Sequence, residues 1–173
     1  MSIYKTYYPT LKFIFKFVLT YIILVAIYNY YLSFFQHQTD YLTLWVGKIV
    51  SGIYKLFGMD VQSIPIKTEP GLKLIVHGQY VARIVEGCTA MSVIIMFVAF
   101  VISFGQHIKR TLIFALAGSI AIFVFNLLRI VLLGYLLYAF PPYQDVAHRI
   151  IFPALIYGFV VFLWIIFIKK YNV

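Results

Sequence analysis

The sequence predicts an all-α transmembrane protein of about four helices in a bundle, with an amphipathic helix and a small β-hairpin between the first two spans. Hydrophobic residues make up 64% of the chain and its mean hydropathy is +0.96, well above the values of soluble domains. Crossing a hydrocarbon core takes about 20 helical residues. Four apolar stretches approach or exceed that length, at about 13–34, 88–104, 111–137 and 150–168. We expect a single membrane domain over residues 1–173.

The first span, about 13–34, carries Lys16 near one end, where a lysine side chain reaches the interface, and it ends in a Tyr-rich belt. It is long and lacks a small-residue cleavage site. We therefore expect a retained span rather than a removed signal peptide.

The charged residues predict the orientation of the spans. On one side of the four-span arrangement lie only basic residues near the span ends: Lys5, Lys12, Lys16, Lys109, Arg110, Lys169 and Lys170. All the acids lie on the other side: Asp40, Asp60, Glu69, Glu86 and Asp145. Basic flanks mark the cytoplasmic side, so both termini and the "GQHIKR" turn are predicted inside. The net charge of +9 is scattered around apolar runs, which favours a lipid bilayer and argues against nucleic acid as partner.

The segment of about 35–87 is the extracytoplasmic part of this arrangement. In "DYLTLWVGKIVSGIYKLFGMD" a helical apolar stripe recurs, and it predicts an amphipathic helix on the membrane surface or packed on the spans; its residues are Leu42, Trp45, Ile49, Ile53 and Leu56. Residues 61–85 alternate in part, with turn signals at Pro70-Gly71 and His77-Gly78. These features predict the hairpin.

Cys88, the single cysteine, excludes an internal disulfide and a thiolate metal cluster. No Gly-rich phosphate loop, HExxH pair or Asp-rich ion loop is present in the sequence. We therefore expect no cofactor and no metal.

Polar residues near the outer ends of the predicted spans are the candidate site. Ser119, Asn126 and Arg129 share one face of the third span, and Arg129 lies about 27 Å from Thr111, near the outer boundary of the hydrocarbon core. Cys88 opens the second predicted span and His148 precedes the fourth, so Cys88, Arg129 and His148 are predicted at one depth. Taken singly, each has a structural alternative: an inert buried cysteine, a headgroup-binding arginine, a helix-bridging Asn126 and an interfacial histidine.

The segments "EGCTA", "NLLRI" and "AHRI" resemble the exosortase and archaeosortase family of membrane cysteine transpeptidases, and more narrowly the short F-type exosortase-like proteins of Bacteroidetes. The resemblance is clearest from about 71 to 162. It implies Cys88 as nucleophile, Arg129 with Asn126 before it as the Asn-x-x-Arg motif, and His148 as general acid and base. The usual Cys-Ser-Gly is Cys88-Thr89-Ala90 here, so Thr89 keeps a hydroxyl neighbour. His148 is followed by Arg149, where an acidic residue is common.

The resemblance implies that the protein cleaves the C-terminal sorting signals of exported proteins at the outer face of the bacterial cytoplasmic membrane. A thioester on Cys88 would then pass to an acyl acceptor that the sequence does not identify. Cys88 at a helix N-terminus would gain thiolate character, aided by His148 or Arg129. Arg129 would stabilise the oxyanion or orient the acyl group. Glu86 opposes the thiolate unless it pairs with Arg83 or Arg149.

Two other functions fit the residues without the resemblance. One is a non-enzymatic membrane subunit that anchors a polysaccharide-export or secretion partner, with Cys88 simply buried. The other is a transporter, which four spans would support only in an oligomer.

Overall fold

The computed structural model describes residues 3–105, 107–139, 146 and 150–171. Two helices come first: α1, Ile3–Ser33, and α2, Tyr41–Leu56. Three strands follow: β1, Val61–Pro65; β2, Leu72–Val76; and β3, Gln79–Ile84. A single 3₁₀ turn, Glu86–Thr89, leads to the last three helices described: α3, Met91–Phe104; α4, Ile108–Ala139; and α5, Phe152–Tyr171.

Three of the described helices are long and apolar enough to cross a membrane: Tyr7–Ser33 within α1, Ile108–Ala139, and Phe152–Lys170 within α5. The predicted second span is a shorter apolar helix of 14 residues, α3. At 1.5 Å per residue α3 is about 21 Å long, less than the roughly 30 Å of a hydrocarbon core. Four full-length spans are therefore not confirmed. The helix predicted to start at Cys88 begins at Met91.

The bundle core lies between α3, α4 and α5, where Phe97, Ile122 and Val160 are almost fully buried. Gly118 of α4 allows this packing, because a Cβ there would collide with the ring of Phe97. Helix α1 packs on α3 through aromatic contacts and leaves most of its other side chains exposed. That exposed apolar surface is typical of a lipid-facing helix.

The three strands form an antiparallel sheet in the order β1-β2-β3, with Val61 opposite Val76 and Leu72 opposite Ile84. The predicted hairpin is thus present with one strand more. The two expected turns lie between the strands. At the second turn, His77 has φ 48° and Gly78 has φ 78°, the positive values that a two-residue hairpin turn of type I′ requires.

Helix α2 begins at the cap residue Asp40, whose carboxylate accepts a hydrogen bond from the Thr43 backbone N–H at 3.0 Å. The buried residues of α2 are mostly small or β-branched: Thr43, Val46, Gly47, Val50 and Ser51, with the larger Tyr54. In the predicted apolar stripe, Trp45 is 54% and Leu56 86% exposed, while Leu42, Ile49 and Ile53 are partly buried. The helix was predicted correctly, and its fully buried residues lie outside the predicted stripe.

The outer end of α4 completes the core beneath the sheet. Leu127 and Ile130 of α4 join Val50, Leu72 and Leu74 in one buried cluster. The Tyr54 hydroxyl donates a hydrogen bond to the Val131 carbonyl of α4, and burial raises the pKa of Tyr54 to about 12. One helix therefore belongs both to the bundle and to the support of the sheet, and the site lies where the two parts meet.

Candidate active site

Cys88 lies in the short 3₁₀ turn that joins β3 to α3. The turn is closed by a hydrogen bond from the Cys88 backbone N–H to the Val85 carbonyl, 2.8 Å long. The Cys88 side chain is a free thiol of intermediate exposure. Cys88 is thus fixed by a local turn and lies three residues before α3, rather than in the first turn of a helix as predicted.

Ala90, two residues further on, is in the left-handed conformation with φ 60°. This conformation costs a residue with a Cβ about 1–2 kcal/mol and is the usual place for glycine. The third position of the Cys-Thr-Ala segment therefore has a backbone reason to favour glycine. Ala90 meets that requirement with the smallest side chain that has a Cβ.

Thr89 is buried, and its hydroxyl accepts a hydrogen bond from the Met91 backbone N–H at 3.4 Å. The Thr89 hydroxyl thus contacts one of the free N–H groups at the start of α3. Its described contact is with the backbone of the turn, so it supports the loop that carries Cys88.

Asn126 of α4 connects the cysteine turn to Arg129. Its side-chain N–H donates to the Cys88 carbonyl at 2.7 Å, and its side-chain oxygen accepts from Nη1 of Arg129 at 3.3 Å. Asn126 is fully buried, so an unmade hydrogen bond there would cost the desolvation of the polar group. One side-chain amide thus connects Cys88, which lies 38 residues before Asn126, to Arg129, which lies three residues after it.

Arg129 and Cys88 line the same cavity of about 280 Å³, near the lower end of the range for ligand pockets. The Nε of Arg129 is buried and makes no hydrogen bond to the described part of the chain. A guanidinium with a free donor beside a thiol can bind a carbonyl oxygen or an anion that enters the cavity.

Of the two partners expected for Glu86, Arg83 pairs with another acid, and Arg149 lies outside the described residues. The Tyr28 hydroxyl of α1 donates to the Glu86 carboxylate at 2.6 Å. Arg83 instead pairs with Glu69, Nη1 to Oε1 at 2.7 Å, and donates from Nη2 to the Pro70 carbonyl at 2.8 Å. Arg83 also lines the cavity. The two acids thus each have a partner, and Glu86 attaches the cysteine turn to the first membrane helix.

Tyr28 is the site residue that the sequence reasoning missed. The Tyr-rich end of the first span was noted, but the chain has 15 tyrosines and nothing in their spacing distinguishes this one. Its hydrogen bond to a residue 58 positions away depends on how α1 packs against the turn.

His148 and Arg149 lie outside the described residues, so their expected roles stay predictions. Within the part of the chain that the structure describes, no group of three or more His, Cys, Asp and Glu side chains is placed to hold a metal ion.

A family model described as transmembrane exosortase, Exosortase_EpsH, matches residues 9–169. The match covers most of the chain, including the cysteine turn, α4 and α5. No curated protein and no solved structure matches the chain. The narrower likeness to the F-type proteins of Bacteroidetes is not decided by this match.

Proposed function

Because the chain belongs to the transmembrane exosortase family, a family of cysteine transpeptidases, we propose that it cleaves the C-terminal sorting signals of exported proteins through a thioester on Cys88. The observation that supports this most is the single buried amide of Asn126, which joins the Cys88 turn to Arg129 beside one cavity. A buried structural cysteine needs no such arrangement. A nucleophile needs both a fixed position and a cationic neighbour.

The proposed orientation puts the outer end of α4, the sheet and Cys88 outside a bacterial cytoplasmic membrane, with both termini in the cytoplasm. It rests on the basic flanks of the spans. In this orientation the substrate enters from the outer side, with its own C-terminal membrane helix still in the bilayer.

In the first step the Cys88 thiolate attacks the carbonyl carbon of the scissile peptide bond, and the carbonyl oxygen becomes an oxyanion. Arg129, which lines the cavity with Cys88, stabilises that oxyanion through its guanidinium group. The carbon–nitrogen bond then breaks, the leaving amine takes a proton, and a thioester to Cys88 remains. We assign the proton transfers to His148, which takes the thiol proton and returns it to the amine.

In the second step an acceptor with an amine or hydroxyl group, or water, attacks the thioester and releases the Cys88 thiolate. Attack by an amine or hydroxyl gives transfer, and attack by water gives hydrolysis.

The test compares the C-termini of exported proteins from cells that carry the wild-type chain or a variant. Cys88→Ala should abolish processing, so exported proteins accumulate with an uncleaved C-terminal membrane helix and basic tail in mass spectrometry. Ser119→Ala is the matched control on α4, since among the described residues the Ser119 hydroxyl donates to the Ala115 carbonyl of its own helix. Unchanged C-termini in Cys88→Ala would exclude the nucleophile and favour the non-enzymatic anchoring subunit.

Arg129→Gln separates an oxyanion role from a headgroup contact. Loss of an oxyanion donor costs about 3 kcal/mol of transition-state stabilisation, or a rate loss of about 10²-fold. An arginine that only binds lipid phosphate would lose little activity on the same substitution. Arg129→Lys keeps the charge without the guanidinium donors and should recover only part of the rate.

A further inference from the structure

Strand β3 has one free edge. It is the last strand in the order β1-β2-β3, and its second edge pairs with no strand in the described part of the chain. An edge strand presents a row of unpaired backbone N–H and C=O groups to whatever lies beside it. Such an edge is a site for an extended peptide, which adds as another strand.

The cavity lined by Cys88 borders strand β3. Five consecutive residues of β3, Tyr80 to Ile84, line one wall together with Leu74 of the central strand β2. Alternate side chains of a strand point to opposite faces of its sheet. Because the cavity contacts both kinds of β3 residue and also Leu74, we infer that it reaches both the inner face of the sheet and the edge of β3. A β-bulge at Val81, which has no partner in the register between β2 and β3, interrupts the regular pairing here.

The opposite wall is one face of α4, formed by Ile130, Leu133, Gly134 and Leu137. We call the space between this face and β3 the β3–α4 groove. Four strand steps from Tyr80 to Ile84 span about 13 Å, and eight helical steps from Arg129 to Leu137 span about 12 Å. The two walls thus match in length, and the groove accommodates about four extended residues.

The two ends of the groove differ. Cys88 and Arg129 are at the end where β3 finishes, and Tyr80 and Leu137 are at the other. The ring of His77 lies 5.8 Å from that of Tyr138, which places the turn before β3 next to the last turns of α4. The strand therefore runs toward the thiol while α4 runs away from it.

We propose that the β3–α4 groove binds the segment of about four residues just before the scissile bond of the substrate, as a strand parallel to β3. This inference rests on the proposed function. After the scissile bond the substrate continues into its membrane helix, so its acyl side occupies the groove and runs toward Cys88. Because β3 runs in the same direction, the added strand is parallel. Backbone hydrogen bonds supply the affinity, which makes binding tolerant of side-chain identity.

The first test obstructs the groove at its middle. Ala82→Trp should reduce processing of exported proteins at least about tenfold, because the added strand loses its place and its hydrogen bonds. Ile64→Trp, on the exposed far strand β1, is the matched control for a new indole on the sheet and should process normally. Thermal unfolding in detergent should give a cooperative transition in both variants, which shows that each variant is folded. Full processing by Ala82→Trp would overturn the proposal.

The second test does not rely on a bulky substitution. Tyr80, 60% exposed at the far end of the groove, is replaced by p-azidophenylalanine in the Cys88→Ala chain, which holds uncleaved substrate. Irradiated cells should yield a cross-link to a residue about four positions before the cleavage site, identified by mass spectrometry. The proposal would be overturned if the cross-link mapped after the cleavage site or formed with lipid alone. It would also be overturned if the same probe at Ile64 gave an equal yield of cross-linked substrate.

The two tests separate this inference from the proposed function. If the wild-type chain processes no exported protein and forms no thioester, the proposed function fails. If the wild-type chain processes exported proteins, and either Ala82→Trp processes them equally or Tyr80 gives no such cross-link, the groove proposal alone fails.

Discussion

Replacing Asn126 separates the two hydrogen bonds that hold the site together. Asn126→Leu is close to isosteric and removes both bonds, leaving the Cys88 carbonyl and a donor of Arg129 unpaired. An unmade buried hydrogen bond costs about 1–3 kcal/mol. The hydrogen bond between Asn126 and Arg129 is longer and borders the cavity, so the cost of losing it should be at the low end of that range. We expect unfolding to be easier by about 2–4 kcal/mol in total.

The same substitution should lower the rate of processing by more than the loss of folded protein. A displacement of a reacting group by about 1 Å can cost about 10²-fold in rate, and Asn126 is the described side chain that bonds the Cys88 carbonyl. We expect a comparable loss for protein that is still folded. The measurement pairs C-terminal mass spectrometry of exported proteins with thermal unfolding in detergent.

Asn126→Asp identifies which bond matters. An aspartate carboxylate still accepts from Arg129, but it cannot donate to the Cys88 carbonyl and places an oxygen against it. If the position of Cys88 is what Asn126 controls, Asp should be as inactive as Leu. Processing at the wild-type rate by Asn126→Asp would show that this bond does not position the nucleophile, and normal processing by Asn126→Leu would refute the reasoning altogether.

Three further outcomes follow from single contacts. Tyr28→Phe removes the donor to the Glu86 carboxylate and should lower stability by about 1.5–2 kcal/mol in thermal unfolding; the idea fails if Glu86→Gln cancels no part of that loss in a double-mutant cycle. Ala90→Gly relieves the strain of the left-handed backbone but loses methyl packing and gives the unfolded chain more entropy, so the free energy of unfolding should change by less than about 0.5 kcal/mol. Ala90→Val should lower the free energy of unfolding by more than about 2 kcal/mol. Equal effects of the two substitutions would contradict the backbone argument. Because the pKa of Tyr54 is raised in the folded protein, the unfolded chain loses the phenol proton at a lower pH than the folded chain does. The contribution of Tyr54 to the free energy of unfolding, on the order of 2 kcal/mol, is therefore full below pH 10 and falls toward pH 12. This alkaline loss of stability should be smaller in Tyr54→Phe.

The sequence predicted the parts of the site that lie on one continuous helix. A spacing of three residues puts Asn126 and Arg129 on one face of α4, and the structure shows them hydrogen-bonded. The family resemblance was confirmed over residues 9–169. The depth argument placed Cys88 near Arg129, and the two residues do line one cavity.

Other features depend on contacts that hydropathy does not encode. The apolar run after Cys88 reads as one span, but the left-handed backbone at Ala90 delays the start of α3 to Met91. The apolar stripe of α2 was predicted to lie on the membrane surface or to pack on the spans, and the residues that α2 buries belong to another face of the helix. The described partner of Glu86 comes from α1, whereas charge suggested Arg83 or Arg149.

The central claim is that Cys88 forms a covalent thioester with an exported polypeptide. The most direct measurement isolates the full-length protein from native membranes under acidic conditions and determines its mass with and without hydroxylamine, which cleaves thioesters. We predict a hydroxylamine-sensitive polypeptide adduct mapped to Cys88, decreased in His148→Ala, which slows formation of the thioester, and absent from Cys88→Ala. An adduct that maps elsewhere, or no adduct in membranes where exported proteins are being processed, would contradict the account.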